Sequence, residues 1–327
     1  MHQIFAAAHK LGITLPPISA KIYNAKVNAI FSLATELEKR MKKAKPRLVF
    51  IVGFYDVGGF AYTLAAHKVG AISVDIQHGV TGPLHLGYAD WGVSLSDGMA
   101  LLPRAYLTWT ESDASLLEKW FDKHLPSRKA FVSGHPLMEA WRAGNFTLPV
   151  AMQLILKRMV DNLEGKSAVL VTLQPSLSTA DALLPLLDVW RLQANVVWWI
   201  RLHPLAMADK PHIEALLCDH GVAQWNIDDA SALPLPSLLE HADFHATHSS
   251  STVIEAELMG VSSIVWSDYG SQLFTDHIAR GAAYKVSDGA EFLRILNQHI
   301  ENNSTVHLRR VPNQMDTALT SLLETIK

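Results

Sequence analysis

Residues His241–Gly260, HADFHATHSSSTVIEAELMG, followed directly by Val261–Trp266, VSSIVW, decide the fold of this chain. Within them, Ala242–Thr247 has the composition of a short strand and Thr252–Met259 has helical spacing, while VSSIVW is a second apolar run. A strand, a helix and a strand in that order predict a βαβ unit with two parallel strands.

Four hydroxyl residues, Ser249 to Thr252, fall at the predicted start of this helix. Backbone N–H groups without helical partners and the positive end of the helix dipole favour an anion there. Serine and threonine also cap helices when no ligand is present, so one hydroxyl needs no functional explanation. Four in succession exceed what capping requires, and a phosphate site is the leading interpretation.

Strands and helices alternate along the rest of the chain in two series. The first series has strand candidates at Arg47–Gly53, Ala71–Ile76, Ala105–Thr110 and Lys129–Ser133. The second has them at Ala168–Leu173, Asn195–Leu202, Ala242–Thr247 and Val261–Trp266. A continuous apolar run such as RLVFIVG, at 47–53, predicts a strand buried on both faces of a parallel sheet. We therefore expect an α/β protein of two Rossmann-like, doubly wound domains facing a cleft, with residues 1–145 in the first domain and 146–327 in the second.

Composition narrows the class of protein. The chain has 327 residues, long for a single core, and is 49% hydrophobic and 18% charged, which favours a well-folded protein over disorder. A formal net charge of −3 gives no electrostatic reason to expect nucleic acid as a partner. The single cysteine, Cys218, excludes an internal disulfide. The N-terminus lacks a secretory pattern, and no apolar run approaches the ~18 residues that cross a bilayer, so we expect a cytoplasmic enzyme.

Polar residues follow the predicted strands at their carboxyl ends. In the first series these positions are occupied by Asp56, Gln77-His78-Gly79, Glu111 and Gly134-His135-Pro136. In the second series they are occupied by Gln174-Pro175-Ser176, His203-Pro204 and His248–Thr252. Because doubly wound proteins bind ligands at the carboxyl ends of their strands, this clustering predicts a binding or catalytic site.

The strand end Arg201-Leu202-His203-Pro204 and the hydroxyl-rich turn before a helix containing Glu255 resemble the C-terminal domain of GT-B glycosyltransferases. More narrowly, they are similar to bacterial enzymes that use cytidine nucleotides: sialyltransferases and Kdo transferases of capsule and lipopolysaccharide synthesis, and CDP-glycerol glycerophosphotransferases. The stretch Ile76–Gly79, with His85, Tyr88 and Trp91 downstream, resembles the N-terminal half of surface-polysaccharide biosynthesis proteins.

This resemblance implies a donor site whose residues each have a structural alternative. It implies that His203-Pro204 and the hydroxyls of Ser249, Ser250, Ser251 and Thr252 bind the CMP portion of the donor. His203 could instead cap a strand end. Arg201 alternates with His203 along the strand and could neutralise a phosphate or pair with a carboxylate. Glu255 could hold ribose hydroxyls, as a glutamate in this helix does in many GT-B enzymes, or could complete a capping box with Thr252.

The catalytic base is sought in the N-terminal domain, because an inverting transfer needs a group that removes the acceptor proton. The candidates are Asp56, Asp75, His78, Glu111 and Asp113. We predict Asp56 as the base, with an ordinary N-cap as its alternative, and His78 as an electrostatic or binding residue. Asp75 lies within a strand, where it serves structure or orients His78.

Four further residues are predicted to contact the acceptor or the sugar: Gln77, Gly79, His85 and Glu111. We expect no metal and no cofactor, since the 16 histidines form no His-Glu-x-x-His motif.

The run Lys39–Arg47, KRMKKAKPR, is either a solvated helix end or a patch for anionic lipid. A lipid patch would place the protein at the inner membrane.

The expected function is that of a metal-independent inverting glycosyltransferase. It would move a sugar, CMP-linked Kdo or a sialic-acid-like sugar, to a glycan or lipid-linked acceptor of a surface polysaccharide. Three other enzymes on this fold stay open: a UDP-sugar transferase, a UDP-sugar 2-epimerase and a CDP-glycerol glycerophosphotransferase. A non-catalytic subunit that binds glycans or nucleotides is the alternative from a different class.

Overall fold

The computed structural model describes residues 20–82, 84–85, 87–88, 99–124, 127–174, 179–302 and 314–325. They form two compact units. One unit contains the residues up to Gly134 together with those from Gln314 onwards, and the other contains His135–Asn313. The change of unit therefore falls between Gly134 and His135, earlier in the chain than the predicted boundary at 145/146.

The N-terminal unit is built on a four-stranded parallel sheet in the order β1-β2-β3-β4. Its strands are β1 (Leu48–Val52), β2 (Ile72–Ile76), β3 (Ala105–Thr108) and β4 (Lys129–Val132). Its helices are α1 (Ala20–Ala44), α2 (Val57–Val69) and α3 (Glu111–His124), with a 3-10 turn at Met99–Leu101. Helix α1 packs through Ala34, Leu37 and Met41 against the alanine-rich face of α2.

The last helix of the chain, α14 (Met315–Thr325), belongs to this first unit although the sequence placed it in the second domain. Ala318 and Leu322 are buried against Ile72, Val74 and Leu107 of the sheet. The sheet face formed by β2 and β3 is apolar, and α14 covers it.

Strand β1 differs from the prediction for residues 47–53. It is the edge strand of its sheet, and Phe50 and Val52 are 47% and 64% exposed, so the strand is not buried on both faces. Val49 and Ile51 on the opposite face do pack into the core. A continuous apolar run predicted the strand correctly but not its position in the sheet.

The C-terminal unit contains a six-stranded parallel sheet in the order β10-β9-β8-β5-β6-β7. Its strands are β5 (Ser167–Leu173), β6 (Val196–Leu202), β7 (Trp225–Asn226), β8 (Phe244–Thr247), β9 (Ser263–Val265) and β10 (Ala283–Lys285). The helices before β8 are α4 (Pro136–Arg142), α5 (Val150–Asp161), α6 (Thr179–Trp190), α7 (Lys210–Asp219), α8 (Asp228–Ala232) and α9 (Leu235–Leu239). Those after β8 are α10 (Thr252–Leu258), α11 (Asp268–Leu273), α12 (Thr275–Ala279) and α13 (Gly289–Asn302).

The βαβ unit predicted from residues 241–266 is confirmed, since β8 and β9 pair in parallel on either side of α10. Together with the two all-parallel sheets, this confirms the predicted α/β class with two parallel-sheet domains. The core of the second unit contains Trp190 and Trp198, stacked with ring centroids 4.3 Å apart.

His245 lies on β8 and is fully buried. Its Nε2 is 2.8 Å from Thr172 Oγ1 on β5, and its Nδ1 is 2.8 Å from Ser263 Oγ on β9. Burial lowers the pKa of His245 to about 3, so the ring is neutral at neutral pH. This histidine ties three neighbouring strands together.

The basic run Lys39–Arg47 forms the end of α1 and the exposed segment after it. Some of its cations face carboxylates of the same helix, with Lys42 Nζ 2.7 Å from Glu38 and Arg40 Nε 3.6 Å from Glu36. None of the helices that the structure describes combines the length and apolar character needed to cross a membrane.

Candidate functional site

The loop after β1 brings the first group of candidate residues together. Gly53 has a φ of +73°, a left-handed conformation that favours glycine, and a side chain there would lie 3.4 Å from the His78 ring. Asp56 follows as the N-cap of α2, where its Oδ1 accepts a hydrogen bond from Gly59 N at 2.6 Å. The structural alternative for Asp56 is therefore realised, and its role as a base stays a prediction.

Asp75 on β2 is a buried carboxyl group with a raised pKa. It is 1% exposed, and it accepts hydrogen bonds from Tyr88 Oη at 2.6 Å and from Phe54 N at 3.2 Å. Burial raises the pKa of Asp75 to about 7, although the hydrogen bonds from Tyr88 and the backbone of Phe54 and Gly53 oppose that shift. Asp75 therefore holds the loop after β1 and Tyr88; this is the structural role that the sequence left open.

Two tyrosines and two histidines form a cluster next to Asp75: Tyr55, Tyr88, His78 and His85. Tyr55 Oη is 3.0 Å from His78 Nε2, and His85 packs against Tyr55 and Tyr88 with ring centroids 5.0 and 4.9 Å apart. Desolvation lowers the pKa of both His78 and His85, and the charge of His78 lowers that of His85 further. Two neutral imidazoles beside a phenol can accept, donate and pass on protons near pH 7.

The other predicted contacts of this unit have structural partners. Gln77 is buried, and its amide accepts from Trp109 N at 2.6 Å and donates to Gly79 O at 2.9 Å, which joins the ends of β2 and β3. Glu111 is the exposed first residue of α3. At the same helix start, Thr110 Oγ1 donates to Asp113 Oδ2 at 2.7 Å and accepts from Asp113 N at 3.1 Å. Trp91 lies outside the described residues.

In the C-terminal unit the hydroxyl-rich turn lies between β8 and α10, as predicted. Ser250 and Thr252 are buried, with their hydroxyl oxygens 3.0 Å apart, and Ser250 N donates to Thr247 Oγ1 at 3.1 Å. Ser249 Oγ is 3.2 Å from His248 Nδ1. Ser251 stands at the N-cap of α10 but makes no side-chain capping hydrogen bond. Capping alone therefore does not account for all four hydroxyls.

His203 and Arg201 each have hydrogen-bond partners within the protein. His203 caps the 3-10 turn Pro204–Asp209, with Nδ1 accepting from Leu205 N at 3.2 Å. Arg201 directs Nη1 at the backbone carbonyls of Ala230, at 2.8 Å, and Leu233. Among the residues that the structure describes, no hydrogen bond joins His203 to the hydroxyl-rich turn. The donor-site roles of both residues stay predictions.

Glu255 faces His135, whose Nε2 is 3.4 Å from Glu255 Oε1. The capping box with Thr252 is therefore not the arrangement found. His135 is 7% exposed and is itself the N-cap of α4. Desolvation lowers the pKa of Arg201, and the charge of Glu255 opposes that shift.

Three residues in these two groups had no predicted role of their own: Tyr55 and Tyr88 in the N-terminal unit, and in the C-terminal unit His135, which was predicted only as part of the strand-end cluster. Tyr55 carries no motif of its own. His135 stands in Gly134-His135-Pro136, directly after β4, and this strand-end position was the signal available in the sequence.

The C-terminal group offers hydroxyls, a carboxylate and imidazoles, which suit the phosphate and the ribose of a nucleotide. The N-terminal group offers titratable groups for proton transfer. Within the described ranges, no three histidine, cysteine or acidic side chains come close enough to hold a metal ion.

Comparison with known proteins places the fold. No protein-family model and no curated protein matches the sequence. Solved structures do match. The UDP-GlcNAc 2-epimerase of Neisseria meningitidis bound to UDP-GlcNAc has a TM-score of 0.65 at 18% identity, covering 97% of this chain and 84% of its own.

Two other solved structures are similar. The S. aureus MnaA–UDP structure has a TM-score of 0.58 at 14% identity and covers 95% of this chain and 80% of its own. The glycotransferase of kitacinnamycin has a TM-score of 0.51 at 15% identity, with 99% and 85% covered. At these identities the likeness concerns architecture, and the chain has the two-domain, GT-B-type fold that UDP-GlcNAc 2-epimerases and this glycotransferase share.

Proposed function

We propose that this chain acts on a nucleotide sugar whose nucleotide is UDP, and that its reaction is epimerisation at C-2 of the sugar. The observation that carries the proposal is the match over 97% of the chain to an epimerase structure that contains UDP-GlcNAc. UDP is likewise the nucleotide in the S. aureus MnaA structure. The cytidine nucleotide expected from the short motifs has no such support, and it becomes a competitor to be tested.

The C-terminal unit would bind the nucleotide. Ser249–Thr252 lie at the carboxyl end of β8, where ligands of parallel α/β sheets bind. Their hydroxyl and backbone N–H groups suit phosphate oxygens, and Glu255 suits the two ribose hydroxyls. His203 follows β6 and presents an imidazole at the same edge of the sheet.

The N-terminal unit would supply proton transfer. Inversion at C-2 requires a base that removes the C-2 proton from one face and an acid that returns a proton on the other. Tyr55 Oη and His78 Nε2 lie 3.0 Å apart, and the phenol and the imidazole are the candidates for the acid and the base. Asp75 is too buried to reach a sugar, and it supports the pair through the loop after β1 and through Tyr88.

Glycosyl transfer is the second candidate, because the glycotransferase of kitacinnamycin matches over 99% of the chain. The proton-transfer residues proposed in the N-terminal unit also fit this reaction. They include imidazoles, which can take a proton from an acceptor hydroxyl, and the acidic groups Asp56 and Glu111 lie on exposed helix starts. Both reactions need the same nucleotide site, so the nucleotide and the chemistry are tested separately.

Nucleotide preference is measured first by thermal unfolding with UDP, UMP, CDP, CMP and GDP at equal concentrations. A ligand that binds the folded state alone raises the unfolding temperature according to its concentration over Kd. We expect the largest shift with UDP. A shift confined to CMP would instead support the cytidine-linked donor, and no shift with any nucleotide would contradict the proposal.

The chemistry is measured by incubating the protein with UDP-GlcNAc in D₂O and recording proton NMR spectra. Epimerisation exchanges the C-2 proton with solvent and produces the 2-epimer, whereas glycosyl transfer leaves that proton in place. We expect loss of the C-2 proton signal with wild-type protein and a large decrease in its rate for His78→Asn. Retention of the proton together with acceptor-dependent UDP release would favour transfer.

A further inference from the structure

The side chain of His135 lies close to the Glu255 carboxylate, and contacts with backbone groups fix the position of His135. His135 Nε2 lies 3.4 Å from Glu255 Oε1, with the histidine 7% exposed and the glutamate side chain 15% exposed. Both residues belong to the C-terminal unit. The pair is shielded from water on most sides, so an electrostatic attraction between the two groups is stronger than on the surface.

The helix cap determines which nitrogen of His135 carries the proton. His135 Nδ1 accepts a hydrogen bond from Met138 N at 3.4 Å, as the N-cap of α4. An accepting nitrogen has an unprotonated lone pair, so the proton of the neutral ring is on Nε2. Nε2 is the nitrogen that faces Glu255, and with 3.4 Å between Nε2 and Oε1 its N–H is on the side of the carboxylate.

A second contact holds the backbone of His135. Its N–H donates to Glu139 Oε1 at 3.0 Å, and Pro136 fixes the backbone at the first position of α4. The cap and this contact together restrict the ring to one place and one orientation. A glutamate side chain with three rotatable bonds is thereby given a fixed partner, which lowers the entropic cost of using it for binding.

Other charged groups near Glu255 do not replace this contact. Arg201 interacts with Glu255 through its charge, but its Nη1 is committed to the carbonyls of Ala230 and Leu233. Arg142 Nη1 donates to the carbonyl of Leu258, and Glu139 accepts from the backbone of His135. His135 is thus the side chain that orients Glu255.

We infer that His135 is a positioning residue that holds one carboxylate oxygen of Glu255 so that the other oxygen binds the ribose hydroxyls of the nucleotide. The inference rests on the proposed function, because it assigns the ribose to Glu255. It adds a residue that acts through Glu255 and not on the nucleotide itself.

The test compares two ligands in one variant. His135→Asn keeps an acceptor that caps α4, since asparagine is among the best N-cap residues, and removes the Nε2 donor. We expect the Kd of UDP to rise roughly tenfold, as for loss of a hydrogen bond to a charged group, with an unfolding temperature close to wild type. For 2′,3′-dideoxy-UDP, which lacks the ribose hydroxyls, wild type and variant should bind equally. In turnover with UDP-GlcNAc the change should fall on KM and leave kcat unchanged.

The outcomes distinguish a failure of the positioning role of His135 from a failure of the proposed function. If His135→Asn binds UDP as tightly as wild type, or loses affinity equally for both nucleotides, the positioning role is overturned while UDP binding stands. If wild-type protein binds no UDP, the proposed function fails and this inference fails with it. Imidazole ¹⁵N NMR of the protein without ligand is an independent check: a protonated Nδ1 on His135, identified by its absence in His135→Asn, would overturn the inference whatever UDP does.

Discussion

At the scale of single residues, two buried titratable groups make opposite contributions to the pH dependence of stability. Asp75 in the N-terminal unit and His245 in the C-terminal unit are both almost completely buried, and both are held by hydrogen bonds. Burial favours the neutral form of each group, which raises the pKa of the acid and lowers that of the histidine. The two groups therefore affect stability in opposite pH ranges.

Asp75→Asn tests the acid. In the wild type the pKa of Asp75 is about 7 when folded and near 3.8 when unfolded, so its contribution to stability is complete below about pH 3.8 and is lost as the pH rises through 7. Asparagine does not titrate, so the variant should gain roughly 2–4 kcal/mol relative to wild type between pH 4 and pH 8. Urea unfolding across this range measures the difference. The exposed Asp188→Asn is the control, and parallel curves for Asp75→Asn and wild type would contradict the prediction.

His245→Asn tests the histidine. The pKa of His245 is about 3 when folded and near 6.5 when unfolded, so its contribution is complete above pH 6.5 and is lost as the pH falls towards 3. The wild type should lose about 1.4 kcal/mol per pH unit from this group in that range. The variant is destabilised at pH 7 by its lost contacts, but its stability should fall less steeply in acid. Denaturant unfolding between pH 4 and pH 7 checks the two slopes.

At the scale of elements, helix starts carry several of the candidate site residues. Asp56 caps α2, His135 caps α4 and His203 caps the 3-10 turn after β6. A capping side chain is held at the carboxyl end of the preceding strand, which is where a ligand would bind. A capping role and a functional role are therefore compatible for these residues, and paired substitutions are needed to separate the two roles.

Asp56→Asn and Asp56→Ala form such a pair. Asparagine keeps the acceptor for Gly59 N and removes the negative charge, whereas alanine removes both. We expect Asp56→Ala to lose about 1 kcal/mol of stability and Asp56→Asn to lose little. If Asp56 is also the base, both variants should lose activity by more than tenfold. Full activity in Asp56→Asn would leave Asp56 with the cap alone.

At the scale of the whole molecule, the last helix of the chain, α14, belongs to the N-terminal unit. Helix α14 covers β2 and β3, with Leu322 2% exposed, although it follows the entire C-terminal unit in sequence. The stability of the N-terminal unit therefore depends on residues at the far end of the chain. A cut at residue 145 would separate the sheet from this cover.

Leu322→Ala tests that dependence. Removing a buried leucine side chain from this face should destabilise the N-terminal unit by about 2–4 kcal/mol. Hydrogen exchange followed by mass spectrometry should then show faster exchange in β2 and β3. Leu296→Ala, in the core of the C-terminal unit, is the matched control and should leave exchange in β2 and β3 unchanged. Equal effects of both variants on β2 and β3 would contradict the assignment of α14.

Local chemistry in the sequence was enough to determine the class of fold. Apolar runs and helical spacing located eight of the ten parallel strands that the structure describes, but not the short strands β7 and β10. The hydroxyl-rich residues 249–252 fell at the end of β8, because strand and helix patterns depend on neighbours within a few residues. Tertiary structure alone decided that β1 is an edge strand, that α14 belongs with the first unit, and that Asp75 meets Tyr88 and Glu255 meets His135. His135 and Glu255 are 120 positions apart in the chain, and Ile72 and Leu322 are 250 positions apart. Such contacts depend on which surfaces bury each other, and no sequence periodicity records that.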